Sequence, residues 1–209
     1  MEDLQAKQSC GQAKQSSGQA KHAAEQSCGQ ALCRLKGGEL GGLECLIARY
    51  QAKALRTAFL ITHDESMAED VVQEVFVRFY QHAKSFDEAR PFEPYFMRSV
   101  VNAALNCIER EQMRQSAANV DLSELENLLE QAASVEEQVE FNTLKWQILE
   151  ALAELPPRQR AVIVQRYYLE MSEQEMSAAL DSPPGTVKWL LNVARTRLRA
   201  LLGSARRME

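Results

Sequence analysis

From residue 43 onward, apolar residues return every three to four positions, and no stretch carries the strict alternation that a half-buried strand requires. In the run Met67 to Tyr80, the side chains of Val71, Val72, Val75, Phe76 and Phe79 share one helical face, while Asp70 and Glu74 lie side by side on another. Pro91 and Pro94 end that helix. A further helix is predicted from about Pro94 to Arg114, carrying Tyr95, Phe96, Arg98, Asn102, Asn106, Arg110 and Arg114. A second helical block runs from 141 to 203, with Pro156 and Pro157 separating two helices. The expected fold class is therefore all-α, with two small helical domains joined by a flexible linker.

Charge places the linker. Between Ser116 and Phe141 there are seven acidic residues and no basic ones, and a linker is expected over 116–140. The helical domains then span 43–115 and 141–205. Residues 1–40 read as a Gln/Ala/Ser-rich tail. It opens on a tandem repeat of seven, Gln5–Gly11, Gln12–Gly18 and Gln19–Glu25. The repeat lacks the large apolar side chains that fill a coiled-coil seam, and its glycines weaken a helix, so a disordered tail is expected.

The segment Met171 to Ala200 carries the most specific local pattern, that of a helix-turn-helix. Ser172 followed by Glu175 is a capping box, and Ser182 followed by Pro183 is a second start signal. At about 100° per residue, Val187, Leu191, Ala194, Leu198 and Leu201 form a core stripe. Lys188, Asn192, Arg195, Arg199 and Arg206 fall in a wedge about 60° wide on a neighbouring face. Six basic and no acidic residues lie between Gly185 and Arg207. Such a ridge suits DNA phosphates, with base contacts at its N-terminal end from Lys188 and Trp189. Basic residues late in a helix also complement its dipole, so the charge alone is not decisive.

Composition narrows the remaining classes. A net charge of −5 argues against a free-standing DNA binder held by bulk electrostatics, whereas local contact assisted by a larger partner fits the uneven distribution. No run of eighteen apolar residues and no secretory leader are present, so a cytoplasmic protein without membrane insertion is expected. Cys10, Cys28, Cys33, Cys45 and Cys107 form no C-x-x-C pair. His22, Cys28 and Cys33 match no standard zinc spacing, so free thiols are expected and neither metal nor cofactor. His22, His63 and His82 are scattered; with no nucleophile–base pair and no phosphate-cradling glycine loop, no catalytic residue is assigned.

Taken together, the two blocks resemble a bacterial RNA polymerase sigma factor of the extracytoplasmic-function type, within the sigma-70 family. The first block carries the resemblance through Ala68 to Tyr80, Ser85-Phe-Asp87 and Tyr95 to Asn102, and the second through Leu152 to Arg160 and Pro184 to Lys188. The resemblance implies a factor that binds core polymerase and directs initiation through the −10 and −35 promoter elements. Asp70, Gln73 and Glu74 would dock on the clamp helices of the polymerase. Phe86 and Asn102 would serve capture of a flipped −10 base, Tyr95 stands as an aromatic wedge for unstacking where the family commonly has a tryptophan, and Arg98, Arg110 and Arg114 would hold backbone phosphates. Ser172, Gln174, Thr186, Lys188, Trp189, Asn192, Arg195 and Arg199 would face the −35 duplex, and the run Ala161 to Tyr168 would meet the β-flap of the polymerase. An anti-sigma protein is an expected partner, and the free chain is expected to be a monomer.

This chain departs from the family pattern after Lys188. The family often places there a small polar residue, then arginine, with another arginine just before Ala194; here those positions are Trp189, Leu190 and Val193. Two alternatives follow. One is a dimeric helix-turn-helix regulator that binds an operator without polymerase. The other is a sigma-like interaction protein that does not read promoters.

Overall fold

The computed structural model describes residues 28–88, 90–115 and 138–205. The repeat at 5–25 and residues 116–137 of the expected linker lie outside the described residues. All regular elements among the described residues are helical: α1 (28–36), α2 (Leu40–Thr62), α3 (Glu65–His82), a 3₁₀ turn (Ala83–Ser85), α4 (Phe92–Gln115), α5 (Gln138–Ala153), α6 (Pro157–Ile163), a π-helical segment (Val164–Tyr168), α7 (Glu173–Ala179) and α8 (Pro184–Ala205). The all-α architecture expected from periodicity is present.

Two compact units are formed, one from residues 28–51, 77–88 and 90–95, the other from residues 52–76, 96–115 and 138–205. In the first unit, α1 lies within the stretch expected to be a disordered tail. Its Ala31, Leu32 and Leu35 are each about 4% exposed, an apolar edge that the preceding repeat lacks. Gly38, at φ +90°, closes the turn into α2, with the N–H groups of Gly37, Gly38 and Glu39 donating to the carbonyls of Cys33, Leu35 and Arg34. Lys36 Nζ pairs with Glu88 Oε1 at 2.9 Å.

Gly42 is where α2 approaches α1 closely. A Cβ there would lie 2.6 Å from the Leu35 nitrogen and would also meet the Ala31 carbonyl. Replacing a helical glycine by alanine ordinarily stabilises by about 1 kcal/mol. Here the sign reverses, because backbone must move: Gly42→Ala is expected to cost about 1–3 kcal/mol. Thermal melting checks this, and a raised melting temperature would refute the close approach.

An aromatic cluster completes the first unit. Phe79 packs edge-on to Phe92 at 4.9 Å and to Phe86 at 5.7 Å, Tyr50 meets Phe92 at 5.2 Å, and Tyr95 lies over Phe86 at 4.9 Å between ring centres. α4 begins at Phe92, two residues earlier than predicted. Pro94 then sits in the first turn, where its missing N–H leaves no helical bond unmade.

In the second unit, Val71, Val72, Val75 and Phe76 of α3 are buried with Phe96, Val100, Val101 and Ala104 of α4. The Phe76 and Phe96 rings are 4.6 Å apart. Asp64 starts α3, accepting the Met67 N–H on Oδ1 at 2.7 Å. The preceding His63 is left-handed, φ +56°, and its buried Nε2 has no hydrogen-bond partner. Burial, with the nearby Arg160 charge second, lowers the His63 pKa from 6.5 to about 4. The fold therefore holds a neutral imidazole that the unfolded chain protonates more readily. Stability should be flat above pH 6.5 and decline as pH falls from 6.5 towards 4. The slope is at most about 1.4 kcal/mol per pH unit. Urea midpoints at pH 7 and pH 5 for wild type and His63→Asn, which also tolerates a left-handed backbone, test this; an equal loss in both proteins would refute it.

The C-terminal helices build one core from Leu152, Leu155, Val162, Met176, Val187 and Leu191, with Leu198 and Leu201 packed against it. Arg160, 7% exposed, donates to the carbonyls of Ala153 at 2.9 Å, Leu155 at 3.0 Å and Ile61 at 2.6 Å. Burial lowers its pKa to about 10, so the guanidinium stays charged at neutral pH and closes helix ends through carbonyl bonds.

Candidate nucleic-acid interface

The helix-turn-helix is α7, a short turn and α8. Ser172 Oγ accepts the Glu175 N–H at 3.2 Å, and the Glu175 carboxylate takes the Ser172 N–H at 2.7 Å, closing the predicted capping box. Hydrogen bonding to Ser172 also lowers the Glu175 pKa. Asp181, at φ +46°, turns the chain between the helices. The second start signal falls differently from expectation. α8 begins at Pro184, and the N–H groups of Thr186 and Val187 donate to the Pro183 carbonyl. Ser182 Oγ instead donates to the Leu180 carbonyl at 3.0 Å, since two consecutive prolines shift the first free N–H along the chain.

Val187, Leu191 and Ala194 are at most 2% exposed and fix the rotation of α8. That rotation turns Thr186, Lys188, Trp189, Asn192 and Arg199 outward, together with Ser172 and Gln174 of α7. Trp189 is 60% exposed, an unusual position for so large an apolar ring. Arg195 is half-buried and engaged by Tyr167. Arg206 lies outside the described residues.

The run Ala161 to Tyr168 does not form an outward apolar surface. Ala161, Val162, Ile163 and Val164 are all buried in the core, leaving Tyr167 exposed and Tyr168 partly so. The π-helical turn explains this split. Leu169 N–H reaches back five residues to the Val164 carbonyl at 3.0 Å, and the wider turn swings Tyr167 away from the core. Sequence reasoning gave Tyr167 no individual role; a π turn breaks the helical period on which face assignment rests.

On α3, Asp70 and Gln73 are exposed, while the half-buried Glu74 lies 3.8 Å from Arg110 of α4. A residue expected to meet polymerase and one expected to meet phosphate are thus neighbours. Arg98 is exposed, and Arg114 is exposed with Glu111 at 3.9 Å. Asn102 is half-buried on the same helix. Phe86 is only 8% exposed, packed beneath Tyr95, which is 41% exposed.

Comparison with known proteins agrees with this geometry. Residues 46–114 match sigma-70 region 2 and residues 145–198 match sigma-70 region 4, together more than half of the chain. The ECF RNA polymerase sigma factor SigW of Bacillus subtilis is 26% identical over 174 residues, 81% of this chain and 93% of its own length. The ECF RNA polymerase sigma-E factor of Escherichia coli K12 is 29% identical over 173 residues, 79% of this chain and 89% of its own. Among solved structures, the sigma factor RpoE of Bartonella quintana, in complex with the anti-sigma factor NepR, superposes with a TM-score of 0.62 at 19% identity, covering 77% of this chain and 96% of that one. CnrH, in complex with the cytosolic domain of CnrY, superposes with a TM-score of 0.59 at 22% identity, covering 85% of this chain and 98% of that one.

A two-part helical protein with a region 2 and a helix-turn-helix region 4 is a transcription initiation factor. The chain belongs to the sigma-70 family of RNA polymerase sigma factors, of the extracytoplasmic-function type.

Proposed function

We propose that this sigma factor binds core RNA polymerase through α3 and grips promoter DNA at two elements, α4 and the Phe86–Tyr95 pair serving the −10 region and α8 the −35 region. The observation that carries this reading is the division of charged faces within one chain. Exposed Asp70 and Gln73 suit a basic partner, whereas exposed Lys188 and Arg199 suit phosphate. Phe86 is buried under Tyr95, so an extruded base would stack on Tyr95, with Phe86 as the ring that supports it. Asn102 would offer its amide to the base edge, and Arg98, Arg110 and Arg114 would hold the backbone.

The factor acts in the cytoplasm, where it lends polymerase specificity and performs no chemistry of its own. None of the described helices is long and apolar enough to cross a membrane. An anti-sigma protein is a fitting partner, since the RpoE chain it resembles was solved bound to one. Run-off transcription with core polymerase on a randomised promoter library tests the proposal. Core-dependent transcripts sharing two spaced elements are expected, and their absence on every template would reject it.

Trp189 favours one further reading. Its exposed ring, with Leu190 and Val193 at positions where the family often has arginine, also suits a sigma-like protein that occupies polymerase without reading the −35 element. Lys188→Ala with Arg199→Ala separates the two. Promoter output is expected to fall roughly tenfold or more, from two lost DNA contacts; unchanged output would favour the decoy.

A further inference from the structure

Arg195 sits in the middle of the cationic ridge of α8 but differs from its neighbours. Lys188, Asn192 and Arg199 are exposed, whereas Arg195 is half-buried. Its Nε–H donates to the Tyr167 hydroxyl at 2.8 Å, and its guanidinium carbon lies 5.6 Å from the centre of the Tyr167 ring. The hydrogen bond directs the guanidinium towards Tyr167, whose ring lies beside it. The π turn that carries Tyr167 buries Val164 and is closed by the Met171 N–H donating to the Gln165 carbonyl at 2.9 Å.

The chemistry of the partner matters as much as its position. A phenol hydroxyl is an uncharged hydrogen-bond partner, so it orients the guanidinium without cancelling its charge. A carboxylate in the same place would hold the arginine more strongly and neutralise it. The bond takes Nε–H and leaves the terminal nitrogens in the fork that matches phosphate oxygens.

We propose that Tyr167 is a positioning residue for promoter binding: it holds the Arg195 guanidinium on the ridge, pre-oriented and fully charged, for one DNA backbone phosphate. The inference rests on the sigma-factor reading above and assigns a role to a residue outside the helix-turn-helix.

Holoenzyme assembled from core polymerase and the full chain tests it, using a −35 duplex selected from a random pool, with binding measured across a series of salt concentrations. Arg195→Ala is expected to reduce the slope of log affinity against log salt by about one unit, one phosphate contact. Tyr167→Phe keeps the ring but loses the hydroxyl; affinity should fall about 2–10-fold with the slope unchanged, the loss of one orienting hydrogen bond. Tyr167→Glu should reduce the slope by about one unit, as Arg195→Ala does, because the charge is cancelled. It should also leave the melting temperature equal to or above wild type. Weaker DNA binding without a lower melting temperature is a result that a merely structural role does not produce. A wild-type slope in Arg195→Ala, or wild-type affinity in Tyr167→Phe, overturns the inference while the sigma-factor reading stands. A wild-type holoenzyme that selects no duplex overturns the reading itself.

Discussion

Phe96→Ala is expected to cost about 3–5 kcal/mol, the largest stability effect of any substitution considered, because it opens a ring-sized cavity in a closed interior. Phe96 is fully buried, its ring 4.6 Å from that of Phe76, with Val100 and Val101 following on the same helix. The rings contribute their area and an aromatic contact, and neither helix can close over the gap without tilting. The consequence reaches function through α4, which carries Tyr95, Arg98 and Asn102 alongside Phe96. Thermal or urea unfolding checks the magnitude. Val77→Ala, at a position 56% exposed on α3, serves as the reference and should change stability by less than about 0.5 kcal/mol. Comparable losses in the two variants would refute the packing argument.

Asp70→Lys should give the largest functional effect: association with core RNA polymerase weakened by about 30-fold or more, with folding unchanged. A carboxylate that meets a basic partner surface is worth about 2 kcal/mol or more when its contact is desolvated, and reversal adds repulsion. Asp70 is exposed on α3 next to exposed Gln73, so the substitution disturbs no core. Glu74 is a weaker choice for this experiment because it already neighbours Arg110 at 3.8 Å, and its loss would alter α4 as well. Binding of the variant to core polymerase, measured by fluorescence anisotropy with the intact full chain, decides the point. Wild-type affinity would remove Asp70 from the polymerase-binding face and leave the DNA-binding assignments untouched.

Much of this architecture was legible because it is periodic and local. The stripe Val187, Leu191 and Ala194 is the buried face of α8, and the Ser172–Glu175 box closes the start of α7, since both depend on residues within one or two turns. α8 starts at Pro184 without the expected Ser182 cap, because two prolines in a row leave the capping position ambiguous in the chain alone. The helix at 28–36 falls within the expected tail, because its short apolar edge, Ala31, Leu32 and Leu35, becomes informative only once packed. The run Ala161 to Tyr168, expected as a whole to meet the β-flap, is divided by a π turn between core and surface.

By itself, the amino-acid order determined the helical class, the faces that turn inward and the family motifs, because hydrophobic repeat and capping are encoded over a few neighbouring positions. Only the tertiary structure decided which separated side chains meet. Tyr167 with Arg195, Phe86 beneath Tyr95 and Arg160 with the carbonyl of Ile61 join residues up to 99 positions apart. Such pairs leave no local pattern, since their energy is gained only after the helices have packed and brought them within bonding distance.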